Sequence, residues 1–432
     1  MFNKFFLILF FIFSLLINIY SFYKFSFSNE QYSEIHSYYL KYIYFSLFLL
    51  LLSILFFFMN KEIKRYFQIV FFSLILGAYS FEVYLYLNIN YFNLAFKEYE
   101  KKTNLKYDTR SRKQVYDDLK KDNKNITVVS GPTYQLTLDN LENFFLSGVS
   151  DRQTIHCNEN GYYTVYNSDR YGFNNNDEIW DEEKIDYILI GDSFTHGACV
   201  NRPDNISSIL SNIKNKKVLN LGYGGTGPLI QYATLKEYFP GNTEKIIWVY
   251  FEGNDISGLK EELKNPILNK YITDLNFTQN LKYKNLEKDK WLKSIIKKSY
   301  VKGSKIKDLK NFLKLHNLRS QLITQPLIFP KVDANYENIL KKMINFANQK
   351  NAELYIVYIP EVLWYTSNFD FKENHKSFIK LVNSYNVNLI DVHSDLMLKI
   401  PDPLNLYPPF KSRQHFSPYG YKKIAELIGD NL

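Results

Sequence analysis

The sequence predicts a membrane protein of the α/β class, with three amino-terminal transmembrane helices followed by a three-layer α/β/α domain whose sheet is mostly parallel. Two observations predict this class. Three apolar runs fall within the first 95 residues, and aliphatic runs alternate with helical patterns over the rest of the 432-residue chain. Alternation of strands and helices favours a parallel sheet with helices on both faces.

The three apolar runs are predicted to span a membrane at about residues 5–21, 42–59 and 66–87. Each approaches the roughly 20 apolar residues that a helix needs to cross a bilayer. The first run could instead be a cleaved signal peptide. However, no small-residue cleavage site follows it, and two further spans do.

Charges in the short loops predict the orientation of these spans. The loop between the second and third spans contains Lys61, Lys64 and Arg65. Cytoplasmic loops are enriched in Lys and Arg. We therefore expect a multi-pass membrane protein with its amino terminus inside and its carboxyl-terminal domain outside the cytoplasm, which is the periplasm in a Gram-negative cell.

Beyond the transmembrane region (residues 1–95), a polar linker and subdomain is predicted at residues 96–183 and a larger domain at residues 184–432, with a basic helical insertion at residues 258–330. The net charge of +9 has a local source, since residues 260–319 contain 16 Lys and Arg against 6 Asp and Glu. A basic amphipathic stretch near a membrane suggests contact with anionic lipid headgroups or an acidic polymer. A simple solvated insertion remains the alternative. Nucleic acid is not expected as a partner of an exported domain.

The larger domain contains aliphatic runs that read as strands. Polar and glycine-rich blocks follow the first three of them, as expected for a sheet edge that binds ligands. The predicted strands are residues 187–190, 218–221, 246–251, 354–359 and 387–390.

Four sequence blocks stand in a fixed order along this domain. Ser193 ends a Gly-Asp-Ser turn directly after the first strand, Gly225 lies in a glycine-rich block, Asn254 lies in Gly-Asn-Asp, and His415 lies near the carboxyl terminus. In this combination, residues 184–432 resemble the SGNH (GDSL) hydrolase family.

The resemblance implies an α/β/α fold and a serine ester hydrolase with no cofactor or metal. Ser193 would be the nucleophile and His415 the base. The backbone of Ser193, the backbone of Gly225 and the side chain of Asn254 would be the donors of an oxyanion hole. Converging donors of this kind stabilise the charge that develops on an acyl oxygen.

The sequence departs from the family in one respect. The family places an aspartate two or three residues before the histidine, whereas this chain has Ser412 and Arg413 there. Asp402 is the best sequence candidate for the missing acid, because it lies on the segment that leads into the histidine block. A Ser-His dyad without a carboxylate and an inactive domain are the alternatives.

The chain contains two cysteines, Cys157 and Cys199, and both lie in the part expected to be exported. An even pair in an oxidising compartment is consistent with one disulfide that pins the stretch around Cys157 beside the nucleophile loop. Two buried free thiols are the alternative. Two cysteines without a Cys-x-x-Cys pattern or a nearby histidine pair do not make a zinc site.

The resulting hypothesis is a membrane-anchored, extracytoplasmic serine esterase that acts on O-acyl esters through an acyl-enzyme. The substrate would be an ester on a surface glycan or, second, on a lipid. An O-acyltransferase of surface glycans and an inactive binding module remain alternatives. A dinucleotide-binding reading of the glycine block at residues 222–227, with Glu252 as its ribose acid, is disfavoured because it leaves Ser193, Asn254 and His415 unexplained. An α/β-hydrolase elbow needs Gly-x-Ser-x-Gly, and residue 195 is threonine.

Overall fold

The computed structural model describes residues 2–26, 33–88, 94–322, 329–409 and 415–432. Ser412 and Arg413, which precede the histidine block, lie outside the described residues. Two compact units are formed. The first consists of Met1–Asn93 with Gly303–Ile328, and the second consists of Leu94–Lys302 with Phe329–Leu432. Part of the predicted basic insertion therefore belongs to the first unit.

The elements are numbered in chain order. The α-helices are α1 (Phe2–Ser26), α2 (Ser33–Phe58), α3 (Lys61–Leu87), α4 (Leu94–Thr103), α5 (Arg112–Asp122), α6 (Ser193–His196), α7 (Ile206–Lys214), α8 (Pro228–Tyr238), α9 (Asp255–Glu262), α10 (Pro266–Thr273), α11 (Asn285–Leu313), α12 (His316–Leu322), α13 (Ala334–Gln349), α14 (Leu363–Thr366), α15 (Lys372–Ser384), α16 (Val392–Asp395) and α17 (Pro418–Asp430). The strands are β1 (Ile126–Val128), β2 (Gln153–Ile155), β3 (Val165–Asn167), β4 (Ile185–Gly191), β5 (Val218–Asn220), β6 (Thr243–Phe251), β7 (Glu353–Ile359) and β8 (Asn388–Asp391). Short 3₁₀ helices lie at Pro132–Thr137, Asp177–Asp181, Leu281–Tyr283, Met397–Lys399 and Pro403–Leu406.

The first unit contains three helices that are long and apolar enough to cross a membrane, at Phe5–Ser26, Tyr39–Phe58 and Lys61–Leu87. By length and composition they confirm the three predicted spans. A polar contact links the first two, because the Asn18 side-chain amide donates to the Ser46 hydroxyl over 3.0 Å. In α3 the buried Glu82 carboxylate accepts from the backbone N–H groups of Asn317 and Leu318 at the start of α12. This acid therefore satisfies orphan donors of a helix amino terminus.

The second unit is built around a five-stranded sheet with the order β5-β4-β6-β7-β8, and every neighbouring pair is parallel. The strands are near-continuous runs of aliphatic and aromatic residues, as expected for strands that are buried on both faces. All five predicted strands are present, with ends shifted by up to three residues. The predicted parallel sheet is confirmed.

Successive residues of each strand point into different cores, which makes the three layers. Ile188 and Trp248 belong to a core shared with α8 and α13, whereas Leu189 and Ile247 belong to a core shared with α7 and α17. Full burial of one such side chain contributes roughly 1.5–3 kcal/mol. Helices therefore cover both faces, and the predicted α/β/α class is confirmed.

The order of the strands determines where a site can form. β4 lies between β5 and β6, so the chain leaves β4 toward one side and later returns on the other. A crevice opens at the carboxyl end of a strand where the order reverses in this way, and ligands bind there in open α/β sheets. Ser193 follows β4 and therefore lies at this crevice.

The segment before β4 contains a small sheet of three strands. β1 pairs in parallel with β2, and β2 pairs antiparallel with β3. Helix α5 begins with a capping box in which Ser111 and Gln114 satisfy each other's backbone N–H groups. Leu292 and Ile296 of α11 are buried against β1 and α5. One face of the lysine-rich helix α11 therefore completes a small hydrophobic core with these two elements.

Candidate active site

The position of Ser193 follows from the tight turn after β4. Gly191 ends the strand, and a Cβ atom there would lie 2.7 Å from the Val249 carbonyl oxygen, so a larger residue would not fit. Asp192 then caps the single-turn helix α6 by accepting from the Phe194 N–H over 2.9 Å. The serine consequently begins a helix at the edge of the sheet, with its hydroxyl facing a cleft.

The structure brings His415 to this serine across 222 residues of sequence. His415 Nε2 lies 2.8 Å from Ser193 Oγ. The other ring nitrogen, Nδ1, lies 2.9 Å from Glu159 Oε1, and Glu159 Oε2 accepts from the His415 backbone N–H over 2.8 Å. Serine, histidine and carboxylate thus stand in the order of a Ser-His-acid triad.

The acid beside the histidine is Glu159 and not Asp402, so the predicted acid is corrected. The Asp402 carboxylate accepts from the Leu404 N–H over 2.9 Å and caps the 3₁₀ helix that follows it. Asp402 is exposed, whereas Glu159 is buried. Proximity in sequence suggested Asp402, but the segment between β2 and β3 supplies the carboxylate.

Sequence reasoning missed Glu159 because the residue lies in the stretch predicted to be a linker and belongs to no motif. The predicted disulfide could have pointed to this residue, because it brings the segment around Cys157 to the nucleophile loop. The structure joins Cys157 to Cys199 in a disulfide, and Cys157 is two residues from the acid. The Asn160 side-chain amide also donates to the Cys199 carbonyl over 2.9 Å. The two cysteines therefore fasten the acid-bearing segment beside the nucleophile loop.

Glu159, Cys199 and His415 carry potential metal-ligand atoms within 4.8 Å of one another. The Cys199 sulfur is bonded to Cys157, and the carboxylate is engaged by both donors of His415. These residues therefore fit a hydrogen-bonded pair beside a disulfide better than a metal centre.

The residues expected to form an oxyanion hole line the same cleft as the serine. Asn254 immediately precedes α9, and its side-chain amide donates to Asp192 Oδ2 over 3.2 Å. Gly225 has a φ of 79°, which favours glycine, and it is exposed to the cleft. A Cβ atom on the neighbouring Gly224 would lie 3.8 Å from Ser193 Cβ, so the glycine block approaches the nucleophile closely.

Buried acids surround the base of the serine turn. Burial raises the pKa of Asp192, and the hydrogen bond from the Phe194 N–H, the charge of His415 and the hydrogen bond from Asn254 oppose that change. Burial and the charge of Asp192 together hold the pKa of Asp255 well above its usual range. Burial behind Ser193 therefore raises the pKa of both carboxyl groups.

His196, three residues after the serine, belongs to the core. Its Nε2 lies 3.1 Å from the Tyr166 hydroxyl, its ring stacks on Tyr223, and burial lowers its pKa to about 3. The neighbouring His156 is also buried, and its pKa is lowered well below the ordinary value. Burial therefore favours the neutral form of both rings, and only His156 of the two lines the cleft. The His415 ring, by contrast, contacts the nucleophile.

The cleft has a volume of about 670 Å³ and is lined by both polar and apolar groups. Phe251 and Val129 supply apolar surface, and Arg112 and Glu361 supply charge on its walls. Burial and the neighbouring Glu252 raise the pKa of Glu361 to about 7. The cleft is therefore large enough for an acyl ester together with part of its alcohol.

The dinucleotide-binding alternative does not fit this geometry. Glu252, which would be its ribose acid, is buried and accepts from the Trp364 indole N–H over 2.6 Å and from the Glu361 N–H. The carboxylate is therefore engaged inside the protein.

No family model and no curated protein matches the sequence. Solved structures similar to part of the chain include a lipolytic protein of the G-D-S-L family from Desulfitobacterium hafniense, at 15% identity and a TM-score of 0.32, covering 58% of this chain and 100% of that chain. A G-D-S-L family member from Veillonella parvula is similar at 13% identity and a TM-score of 0.30, covering 56% and 95%. A carbohydrate esterase family 2 enzyme with a carbohydrate-binding domain from Corynascus thermopiles is similar at 10% identity and a TM-score of 0.31, covering 62% and 70%. At these TM-scores the similarities carry no weight for the chemistry, which follows from the arrangement of the side chains.

Proposed function

We propose that this protein is a membrane-anchored serine esterase that cleaves O-acyl esters through an acyl-enzyme. The single observation that carries the proposal is the continuous chain of contacts from Ser193 Oγ through the His415 ring to Glu159. A serine hydroxyl is a weak nucleophile unless an adjacent base takes its proton. His415 Nε2 is within hydrogen-bonding distance of that hydroxyl, so it can act as the base.

The reaction proceeds in two steps. In the first, Ser193 Oγ attacks the ester carbonyl while its proton passes to His415, which then donates the proton to the departing alcohol. Glu159 accepts from Nδ1, keeps Nε2 free in the neutral ring and stabilises the imidazolium. In the second step, His415 activates a water molecule that releases the acid and restores the serine.

The negative charge that develops on the carbonyl oxygen needs donors. The Ser193 and Gly225 backbone N–H groups and the Asn254 side chain are proposed for this role, because all three residues line the cleft around the nucleophile. Asn254 donates to the Asp192 carboxyl group over 3.2 Å in the absence of substrate. The charged oxygen of the intermediate would accept from the same amide through a charge-assisted hydrogen bond.

A fluorophosphonate probe and p-nitrophenyl acetate test the proposal on the full chain in detergent. Wild-type protein should be labelled and should hydrolyse the ester, and Ser193→Ala should lose both. Ser384→Ala, which alters an exposed serine at the end of α15, is the matched control and should keep both. Labelling that persists in Ser193→Ala would overturn the assignment, and a wild-type protein that neither labels nor hydrolyses the ester would favour the inactive module.

The catalytic unit is proposed to lie outside the cytoplasm. The support is the basic loop at Lys61, Lys64 and Arg65 between two spans, which the positive-inside rule retains in the cytoplasm. A disulfide near the site fits an oxidising compartment. Alkaline phosphatase fused after Leu432 should be active and green fluorescent protein dark when both are exported by the general secretion route. The reverse pattern would contradict this orientation.

A further inference from the structure

A second concavity lies beside the small sheet of the second unit. It has a volume of about 530 Å³, and α5, β1 and α11 form most of its walls. Six basic residues and one acid, Asp117, are among its lining residues. We refer to it as the basic groove, defined by Lys113, Lys120, Lys124, Arg152, Lys293 and Lys297.

Most of this charge is not neutralised within the protein. Lys113 pairs with Asp117, and Lys293 lies 3.6 Å from Asp289. The other four members form no ion pair with any side chain that the structure describes; they are Lys120, Lys124, Arg152 and Lys297. Cations held together in this way repel one another, and an anionic ligand would relieve that repulsion.

The basic groove and the catalytic cleft are lined by residues of the same three elements, α5, β1 and β2, together with residues that flank them. Arg112 at the start of α5 lines the cleft and Lys120 lines the groove, about 12 Å further along the helix axis. Val129, just after β1, lines the cleft, whereas Ile126 and Thr127 of β1 line the groove. Arg152 before β2 and His156 after β2 lie in the groove and the cleft respectively. Each of these three elements therefore contributes to the basic groove at one end and to the catalytic cleft at the other.

We infer that the basic groove binds the backbone of an anionic polysaccharide and leads its O-acyl esters to Ser193. The inference rests on the proposed esterase function and adds a substrate class to it. Charge complementarity argues for a polyanion. The elements shared by the groove and the cleft argue for a strand-like ligand, because a chain that follows these elements can contact both sites at once.

Binding tests the groove without any assumption about catalysis. The full chain in phosphatidylcholine nanodiscs is titrated with fluorescent carboxymethyl dextran and with plain dextran, which share a backbone and differ in charge. Wild-type protein should bind the carboxymethyl form more tightly, and added salt should weaken this binding. Lys120→Gln combined with Lys297→Gln should weaken it about fivefold, the scale expected from the loss of two exposed charge contacts.

Each of the two mutated lysines, Lys120 and Lys297, is followed in sequence by a lysine that lies outside the groove. Lys121 and Lys298 are exposed, adjacent in sequence and not part of its lining. Lys121→Gln combined with Lys298→Gln removes the same net charge and should leave polymer binding unchanged. If both double variants weaken polymer binding equally, the attraction comes from the overall positive charge, and the inference that the groove is the binding site is overturned. Competition by monomeric dihexanoyl phosphatidylglycerol, with no preference for charged over plain dextran, would overturn it in favour of a lipid site.

Catalysis provides the second readout. On O-acetylated carboxymethyl dextran, Lys120→Gln combined with Lys297→Gln should raise KM while kcat stays unchanged. Hydrolysis of p-nitrophenyl acetate should be unaffected in every lysine variant. If wild-type protein hydrolyses the small ester but shows no preference for the charged polymer, the groove inference fails and the esterase stands. If wild-type protein hydrolyses no ester, yet binds the charged polymer and loses this binding in Lys120→Gln combined with Lys297→Gln, the esterase proposal fails. The groove then remains as a binding site.

Discussion

The Glu159 carboxylate contacts His415 at two points, the Nδ1 atom at 2.9 Å and the backbone N–H at 2.8 Å, although 256 positions separate the two residues in sequence. Both carboxylate oxygens therefore face donors. This arrangement fixes the position of the ring and its tautomer together, because the same side chain holds the backbone from which the ring projects.

Glu159→Gln should lower kcat for p-nitrophenyl acetate by roughly 10³- to 10⁴-fold. An amide has one accepting atom, so it must turn its NH₂ group either toward Nδ1, which imposes the wrong tautomer, or toward the His415 backbone N–H, which breaks that contact. The matched control is Asp402→Asn, since Asp402 caps a 3₁₀ helix and should leave kcat unchanged. A kcat that falls in Asp402→Asn and holds in Glu159→Gln would reverse the assignment.

Asn254→Ala should lower kcat by on the order of 10²–10³, the loss typical of one oxyanion-hole donor. The fold should persist, because the Asn254 side chain does not cap α9. The comparison variant is Asn265→Ala, which removes a side chain that does cap the next helix and should cost stability rather than kcat. Unchanged turnover in Asn254→Ala would remove this residue from the proposed site.

Replacing both cysteines by serine should lower the free energy of unfolding by about 4 kcal/mol, since the bond closes a loop with a sequence separation of 42. Turnover should fall as well, because Cys157 lies two residues from Glu159 and helps to hold that segment. Thermal unfolding without reductant measures the first effect. Dithiothreitol should reproduce both effects in wild-type protein and change nothing in the double variant, and a reductant effect on the double variant would contradict the explanation.

Glu361→Gln should reduce the loss of stability that accompanies rising pH. The pKa of Glu361 is raised from 4.5 to about 7 by burial and by Glu252. The folded state therefore binds more protons than the unfolded state between these values, and stability is lost as pH rises through 7. The difference corresponds to at most about 3 kcal/mol.

Melting temperatures at pH 5 and pH 8 measure this effect in the full chain in detergent. Wild-type protein should lose more stability over that interval than Glu361→Gln does. Glu373→Gln, which alters an exposed carboxylate at the start of α15, should behave as wild type. An equal fall in wild-type protein and Glu361→Gln would show that the carboxyl group ionises alike in both states.

Local patterns in the sequence determined the classes of element and their order. A membrane span is recognised from about 20 consecutive apolar residues, and a buried parallel strand from a short aliphatic run, because each depends on the solvent around its own residues. The turn that bears Ser193 is local too, since a strand, a glycine and a capping aspartate follow one another directly. For this reason the three apolar helices and the five-stranded sheet could be predicted before any coordinates.

The tertiary structure alone decided which side chains meet. Glu159 reaches His415 because the disulfide and the small sheet bring a distant segment to the crevice, and proximity in sequence pointed instead to Asp402. The basic groove arises in the same way: its charges lie in three separate stretches, and only the burial of Leu292 and Ile296 against the small sheet brings them together. Contacts between residues far apart in sequence depend on how whole elements pack, and no local pattern records that packing.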